Sequence, residues 1–357
     1  MRIVHVVLSL GIGGQERLIL NLSRALGRRG HEVTVVSLTP GGDLRSEFDS
    51  IAVLDVERTA RVSPRVFLEL GKAFRALRPD VVHTHNQAPL FYAAPTARAL
   101  GVRRVIHTKH GAGVYSTKAG AFARLTVQTL SAFVAVSQET ADVARSMERV
   151  PERLLRVIPN GIPLERFHPD ADARRRVREA HGIPEHAFVV GTVGRLVWEK
   201  NYPLLVRAMI PLLSSDVRLV IVGEGPERGA IEGAIPKELA PFVTLTGVRR
   251  DVAEQLAAMD VFTLSSVTEG LPLVVAEAMA CGLPVVVTRV GALASIVPSE
   301  VGVVVGSGDE SGLTQAYRQM RDDPERRVRL GGAAVGLAQK RFSIERMTEA
   351  YLELYRN

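Results

Sequence analysis

Two glutamates, Glu269 and Glu277, stand in the segment SSVTEGLPLVVAEAMACGLPVVVT (265–288). The apolar run before them reads as a strand that ends in a loop, and Pro272 suits the first position of a following helix that carries Glu277. A helix start offers free backbone N–H groups and the positive end of a dipole, which favour a phosphate or a sugar phosphate. Gly270 lets the backbone come close to such a ligand. At 3.6 residues per turn the two carboxylates do not share a helix face. They suit different parts of one long ligand, and a carboxylate accepts the two hydroxyl hydrogen bonds that a ribose diol offers.

Further constellations lie on other loops. VGRLVWEKNYPLLVRA (193–208) places Arg195 and Lys200 over a strand-to-helix turn. An Arg fork and a Lys point charge suit a diphosphate, although by themselves two loop cations are equally at home in solvent. LSLGIGGQERL sets Gly11, Gly13 and Gly14 between the first strand and the first helix. The G-x-G-x-x-G spacing of dinucleotide binders is absent, yet the loop still brings backbone near a phosphate or an acceptor. In HTKHGAGVYSTK (107–118), His110 stands where it could polarise a sugar hydroxyl, and His107 within the strand reads as a packed core residue. A lone loop histidine is more often structural. The single cysteine, Cys281, sits in an apolar run and reads as core. The pair Asp170-Ala171-Asp172 lies away from any strand end and makes a poor metal chelate, so no metal is expected.

These loops need a scaffold, and the rest of the chain supplies one. Strands are expected at 3–8, 32–38, 80–85, 104–108 and 133–137, with helix-length segments at 15–29, 66–77 and 139–150 between them. Leu18, Leu22, Ala25 and Leu26 recur at helical spacing. Short apolar strands alternating with helices imply a parallel sheet covered on both faces. The stretch ADARRRVREAHGIPEHA breaks the rhythm and is expected to connect two domains, residues 1–170 and 171–342. The rhythm then restarts at 188–196, 218–225, 243–247, 260–266 and 283–288. A last helix, 343–356, follows the final strand and is expected to cross back to the first domain. The fold class is therefore α/β: two Rossmann-like, doubly wound domains, expected to face each other across a cleft.

Composition bounds the partners. With 46% hydrophobic and 23% charged residues the chain is a folded globular one, and its net charge is +7. Residues 1–170 hold 23 Lys/Arg against 15 Asp/Glu, a net +8, which leaves −1 for the remainder. A basic half suits an anionic partner or merely solvated arginines. No stretch is long and apolar enough to span a bilayer, and the N-terminus reads as a first strand rather than a signal peptide. The expected location is the cytoplasm, free or peripheral on the inner face of the membrane. Within 111–131, Lys118 and Arg124 mix with Tyr115, Phe122, Leu125 and Leu130. That mixture suits docking on an acidic membrane surface or an ordinary packed helix. Nucleic acid is not expected, since clustered aromatics and any reading module are missing.

Taken in order, GIGG, HTKHG, IPNGI, GRLVWEKN, VGEGPER and the Glu269–Glu277 segment resemble the family 4 retaining glycosyltransferases of GT-B fold, over nearly the whole chain. The resemblance implies transfer of a sugar from a UDP- or GDP-linked donor to a glycan, glycolipid or lipid-linked oligosaccharide, with no cofactor. It implies Arg195 and Lys200 on the diphosphate, Glu277 on the ribose, and Glu269 with the Gly270–Leu271 backbone on the sugar. Val248 would lie by the base, Gly13 and Gly14 near the phosphate, and His110 by sugar and acceptor. His110 and Glu269 would be the catalytic pair. One departure is visible: the text VGALASIVPSE stands where relatives often carry a Gly-Gly…Glu turn. A sugar-nucleotide epimerase or hydrolase of the same fold, or a non-catalytic nucleotide-sugar-binding subunit, are the rival readings.

Overall fold

The computed structural model describes the chain except residues 59–62, 112 and 116–125. Two compact units emerge: Met1–Gly161 together with Ile344–Asn357, and Ile162–Ser343. The division falls at Gly161/Ile162 rather than at 170/171. The Ile162 N–H donates to the Phe342 carbonyl at 2.7 Å, and Ile162 bridges Ser343 in parallel, so the IPLERFHPD stretch belongs to the second unit.

The first unit holds strands β1 (Arg2–Val7), β2 (Glu32–Ser37), β3 (Ala52–Asp55), β4 (Val81–His85), β5 (Arg104–Lys109), β6 (Ala132–Ala135) and β7 (Leu155–Val157). All pair in parallel, in the order β3-β2-β1-β4-β5-β6-β7. The inner strands are the buried apolar runs that the sequence displays. β3 and β7 escape a reading by periodicity because they are short edges with mostly solvent-facing side chains. Helix Gly14–Arg28 packs Leu18, Leu22, Ala25 and Leu26 inward as their spacing requires. The returning helix Ile344–Arg356 buries Ile344, Met347, Thr348, Tyr351, Leu352 and Tyr355, one face of a 3.6-residue repeat.

The second unit repeats the plan with β8 (Phe188–Val193), β9 (Val217–Val222), β10 (Val243–Leu245), β11 (Val261–Leu264), β12 (Val285–Thr288) and β13 (Gly302–Val305). Their order is β10-β9-β8-β11-β12-β13, again parallel. The stretch expected to be an irregular connection is instead the helix Ala171–Ala180, packed on this unit. Periodicity missed it because one of its inward residues is Arg178, only 1% exposed. Its guanidinium bonds the carbonyls of Ala258, Glu185 and Ala187 and the Asp260 carboxylate at 2.7–3.0 Å.

Candidate functional site

In the second unit the strand order reverses between β8 and β11, and ligands of doubly wound sheets bind at the carboxyl edge of such a switch. After β8 the chain passes Gly194 and Arg195 into the single 3-10 turn Trp198–Lys200. After β11 it runs through Ser265–Leu271 into helix Leu273–Ala280, with Pro272 as the residue before its first turn. Lys200 Nζ donates to Glu269 Oε1 at 2.6 Å, and Ser266 Oγ donates to the same oxygen at 2.7 Å. Oε2 stands outside both bonds. The two loops are also tied through backbone. Ser265 Oγ donates to the Lys200 and Asn201 carbonyls at 2.9 and 3.0 Å, and the Val267 N–H to the Glu199 carbonyl at 2.8 Å.

The departure VGALASIVPSE has a structural counterpart. Gly291 takes φ +49°, and a Cβ there would come within 1.9 Å of the Glu269 carbonyl oxygen. The Ala292 N–H reaches the Gly270 carbonyl at 3.3 Å. Backbone from the loop after β12 thus supports the Glu269–Gly270 turn.

Of the remaining expected donor residues, Arg195, Leu271 and Val248 follow the carboxyl ends of β8, β11 and β10, and Glu277 lies within helix Leu273–Ala280. Arg195 is exposed and, among the described residues, its guanidinium has no ion-pair partner. Glu277 is buried on its helix, Leu271 is buried beneath the loop, and Val248 is 55% exposed beyond β10. Gly247, just before it, accepts from the Gly223 N–H at 2.9 Å. Burial, with the Glu277 charge second, pushes the Cys281 thiol up to about 12, so it stays a neutral core residue. Asp170 serves as helix cap, accepting the Ala173 N–H at 2.9 Å.

In the first unit the switch lies between β1 and β4. Gly13 caps helix Gly14–Arg28 with extended backbone, and Gly14 is its first residue. Gly42, at φ +106°, packs so tightly under this loop that a Cβ would lie 2.3 Å from the Leu10 carbonyl carbon. Asn86, directly after β4, bonds the Gln15 side chain and accepts the His110 N–H at 3.0 Å. It thereby ties the glycine loop to the histidine loop. Asn86 itself stands at φ +63°, a conformation that a sequence does not announce.

His110 does not stand alone. His85 Nδ1 lies 3.0 Å from His110 Nε2, and His5 Nδ1 lies 2.9 Å from His85 Nε2. His83 packs on His85, tilted by 36° with 4.2 Å between centroids, and its nitrogens lie 2.7 Å from the Tyr355 hydroxyl and 2.8 Å from Thr108 Oγ1. His107 is buried, 2.9 Å from Thr84 Oγ1 and 3.0 Å from the Tyr115 hydroxyl. One nitrogen each of His5, His83 and His85 fall within 4.8 Å of one another. Both His83 nitrogens and His5 Nδ1 are already hydrogen-bonded, so the cluster is a network of side chains rather than an open ligand set. Burial lowers His5 and His110 to about 3, and it drives His83, His85 and His107 well below the usual range, the crowding of the rings, and Lys109 beside His107, further disfavouring a charge. All five rings are neutral at pH 7.

The loop after β5 is anchored from below. Lys109 Nζ pairs with Glu148 in a sealed site, donates to the Gly113 carbonyl at 2.8 Å and lies 4.2 Å over the Tyr115 ring. The Tyr115 N–H donates to Glu148 at 2.7 Å. Tyr115 and Leu130 therefore serve packing, not an outer surface. Lys118, Phe122, Arg124 and Leu125 lie outside the described residues. Among those described, no helix is long and apolar enough to cross a membrane.

Family models match both halves: Glycosyltransferase Family 4 over residues 12–166 and Glycosyl transferases group 1 over residues 187–323. Among the relatives is the lipopolysaccharide core biosynthesis glycosyltransferase LpsD of Rhizobium meliloti, 29% identical over 99% of this chain and 98% of that protein. A GDP-mannose-dependent alpha-(1-6)-phosphatidylinositol monomannoside mannosyltransferase of Mycolicibacterium smegmatis is 30% identical over 89% of this chain and 87% of its own length. In structure, Anabaena HepE in complex with UDP and glucose superposes with a TM-score of 0.86 at 21% identity, covering 99% of this chain and 98% of HepE. Two parallel doubly wound units, a glutamate loop at the switch of the second, and matches along nearly the whole length lead to one conclusion: the chain belongs to the family 4 glycosyltransferases and has their GT-B fold.

Proposed function

We propose that this glycosyltransferase moves a hexose from a UDP- or GDP-linked donor to an acceptor hydroxyl with retention of configuration and without a metal ion. The observation that carries the reading is the Lys200–Glu269–Ser266 cluster, which joins the loops on either side of the β8/β11 switch. Lys200 and the exposed Arg195 meet the diphosphate and stabilise the charge that grows on the leaving phosphate, taking the part a metal plays elsewhere. Glu269 Oε2 accepts a sugar hydroxyl, while the Gly270–Leu271 backbone lies along the sugar. Glu277 takes the ribose diol and Val248 flanks the base. Gly13 and Gly14 approach the phosphate, and His110 contacts the sugar.

No side chain in this set is placed as a double-displacement nucleophile: Glu269 is tied to Lys200 and Ser266, and Glu277 is buried on its helix. That favours a front-face departure in which the leaving phosphate takes the acceptor proton.

The acceptor is a glycan, glycolipid or lipid-linked oligosaccharide. The printed activities of the relatives, in lipopolysaccharide core and phosphatidylinositol mannoside synthesis, support that class. The net +8 of residues 1–170 suits approach to an acidic membrane surface at the cytoplasmic face.

The test is thermal shift and nucleotide release against UDP-, GDP- and ADP-sugars with EDTA present, for wild type and Glu277→Ala. One sugar nucleotide stabilises the wild type and is slowly hydrolysed, and the variant loses both effects. If no sugar nucleotide binds the wild type, the donor-site reading is wrong; if one binds but is neither hydrolysed nor transferred, a non-catalytic nucleotide-sugar-binding subunit takes its place.

A further inference from the structure

Two side-chain hydroxyls of the second unit, Thr192 Oγ1 and that of Tyr202, are sealed and have no hydrogen-bond partner in good geometry among the described residues. Thr192 lies on β8, two residues before Gly194 and so on the same side of the strand. Tyr202 opens the helix Tyr202–Met209 and is 1% exposed. A Cβ built on Gly194 would lie 2.9 Å from the Tyr202 hydroxyl and 3.6 Å from Lys200 Cε. The hydroxyl thus stands at the carboxyl end of β8, by the Gly194–Arg195 turn and next to the stem of Lys200.

Thr192 is near enough to touch Tyr202, but a contact between the two does not satisfy both. Two hydroxyls carry two protons; when one donates to the other, the second O–H still needs an acceptor. Burial pushes the Tyr202 phenol above its ordinary range, so it keeps its proton at pH 7. A sealed O–H without an acceptor costs stability, and a ligand that only accepts removes that cost. Phosphate oxygens are such acceptors. Other features at this point favour the same chemistry. Lys200 Nζ carries N–H groups beyond the one given to Glu269. The helix that begins at Tyr202 has no side-chain cap, which leaves the positive end of its dipole for an anion.

We propose that Tyr202 is a further donor-binding residue: its phenol O–H donates to an oxygen of the diphosphate when the Lys200 stem turns toward that group and uncovers it. This deepens the donor-site reading and rests on it. Gly194 is the residue that permits the arrangement, since any side chain there would occupy the space of the hydroxyl.

The test titrates UDP, GDP, inorganic diphosphate and inorganic phosphate into wild type, Tyr202→Phe and Thr192→Val by calorimetry, beside melting of each protein alone. Tyr202→Phe is expected to melt no lower than wild type, yet to weaken inorganic diphosphate and whichever nucleotide the wild type takes by about tenfold. Thr192→Val is expected to weaken them by no more than about twofold. Unchanged affinity in Tyr202→Phe overturns the proposal. So does a lowered melting temperature in that variant, because the acceptor of the O–H then lies inside the folded chain. A loss in Thr192→Val with none in Tyr202→Phe overturns it in favour of Thr192. A loss confined to inorganic phosphate marks a free-phosphate site and overturns the assignment to the donor. If the wild type binds inorganic diphosphate in a Tyr202-dependent way but neither nucleotide, the donor-site reading fails while the anion site stands. If it binds none of these probes, both fall.

Discussion

Glu269 receives two hydrogen bonds on a single carboxylate oxygen, from an ammonium and from a hydroxyl. Both fix the direction of the other oxygen, the one proposed above to accept a sugar hydroxyl. Bonds to a charged group contribute about 1.5–3 kcal/mol each. Ser266→Ala, which frees one side of the carboxylate, is therefore expected to lower kcat/KM for nucleotide release by roughly tenfold. Glu269→Gln is expected to lower it more, since the amide turns one oxygen into a donor and releases Lys200. Steady-state kinetics of both variants check the order; a Ser266→Ala enzyme equal to wild type would remove the orienting role. At this scale the sequence showed Glu269, Lys200 and Gly270 through residue type and spacing. It did not show Ser266, Asn86, His5 or His85. A serine or a strand histidine carries no pattern of its own, and only the sheet register sets His85 between His5 and His110.

Among the elements, helix Ala171–Ala180 carries the clearest energetic argument. Arg178 is sealed, and Asp260, 14% exposed at its side chain, takes Arg178, Arg174 and the Val189 N–H together. Removing one partner of a buried pair leaves the other charged and unpaired, at about 3–5 kcal/mol. Asp260→Ala is expected to destabilise the second unit by that amount, and Arg178→Met by less, because it removes the buried charge itself. Denaturant unfolding measures both. Equal losses would show that packing, not charge pairing, holds the helix. A similar logic makes Gly291→Ala costly: its positive φ and its approach to the Glu269 carbonyl leave no room for a methyl group.

For the molecule as a whole, the consequence of the buried histidines is a dependence on pH. Their pKa values are depressed in the folded chain, so between about 3 and 6.5 the unfolded state binds more protons than the native one. Stability is then complete above pH 6.5 and is lost as pH falls, by about 1.4 kcal/mol per pH unit for each ring kept neutral. The first unit is expected to melt at a constant temperature from pH 8 to 7 and progressively lower below pH 6, with the second unit less affected. Calorimetry over that range checks it, and a first unit with no slope below pH 6 would mean that the rings charge without unfolding. The Tyr351 and Tyr355 hydroxyls bind the same network from the C-terminal helix, at 3.0 Å from Thr108 and 2.7 Å from His83. That helix is thus part of the first unit's core although it follows the second in sequence.

What the sequence determined by itself was what repeats or is local: apolar runs that must be buried strands, helical faces spaced at 3.6, glycines and glutamates at strand-to-helix loops. These are enough for two doubly wound units and for the loops of the candidate site, because side-chain periodicity and turn chemistry act over a few residues. Tertiary structure decided the rest. It assigned residues 162–170 to the second unit, hid Arg178 inside a helix that reads as polar, and added the edge strands β3 and β7. It also gathered five histidines from three strands and a loop into one network. Those outcomes depend on contacts between residues up to hundreds of positions apart, such as His83 with Tyr355. Their energy comes from desolvation and pairing, which no local pattern encodes.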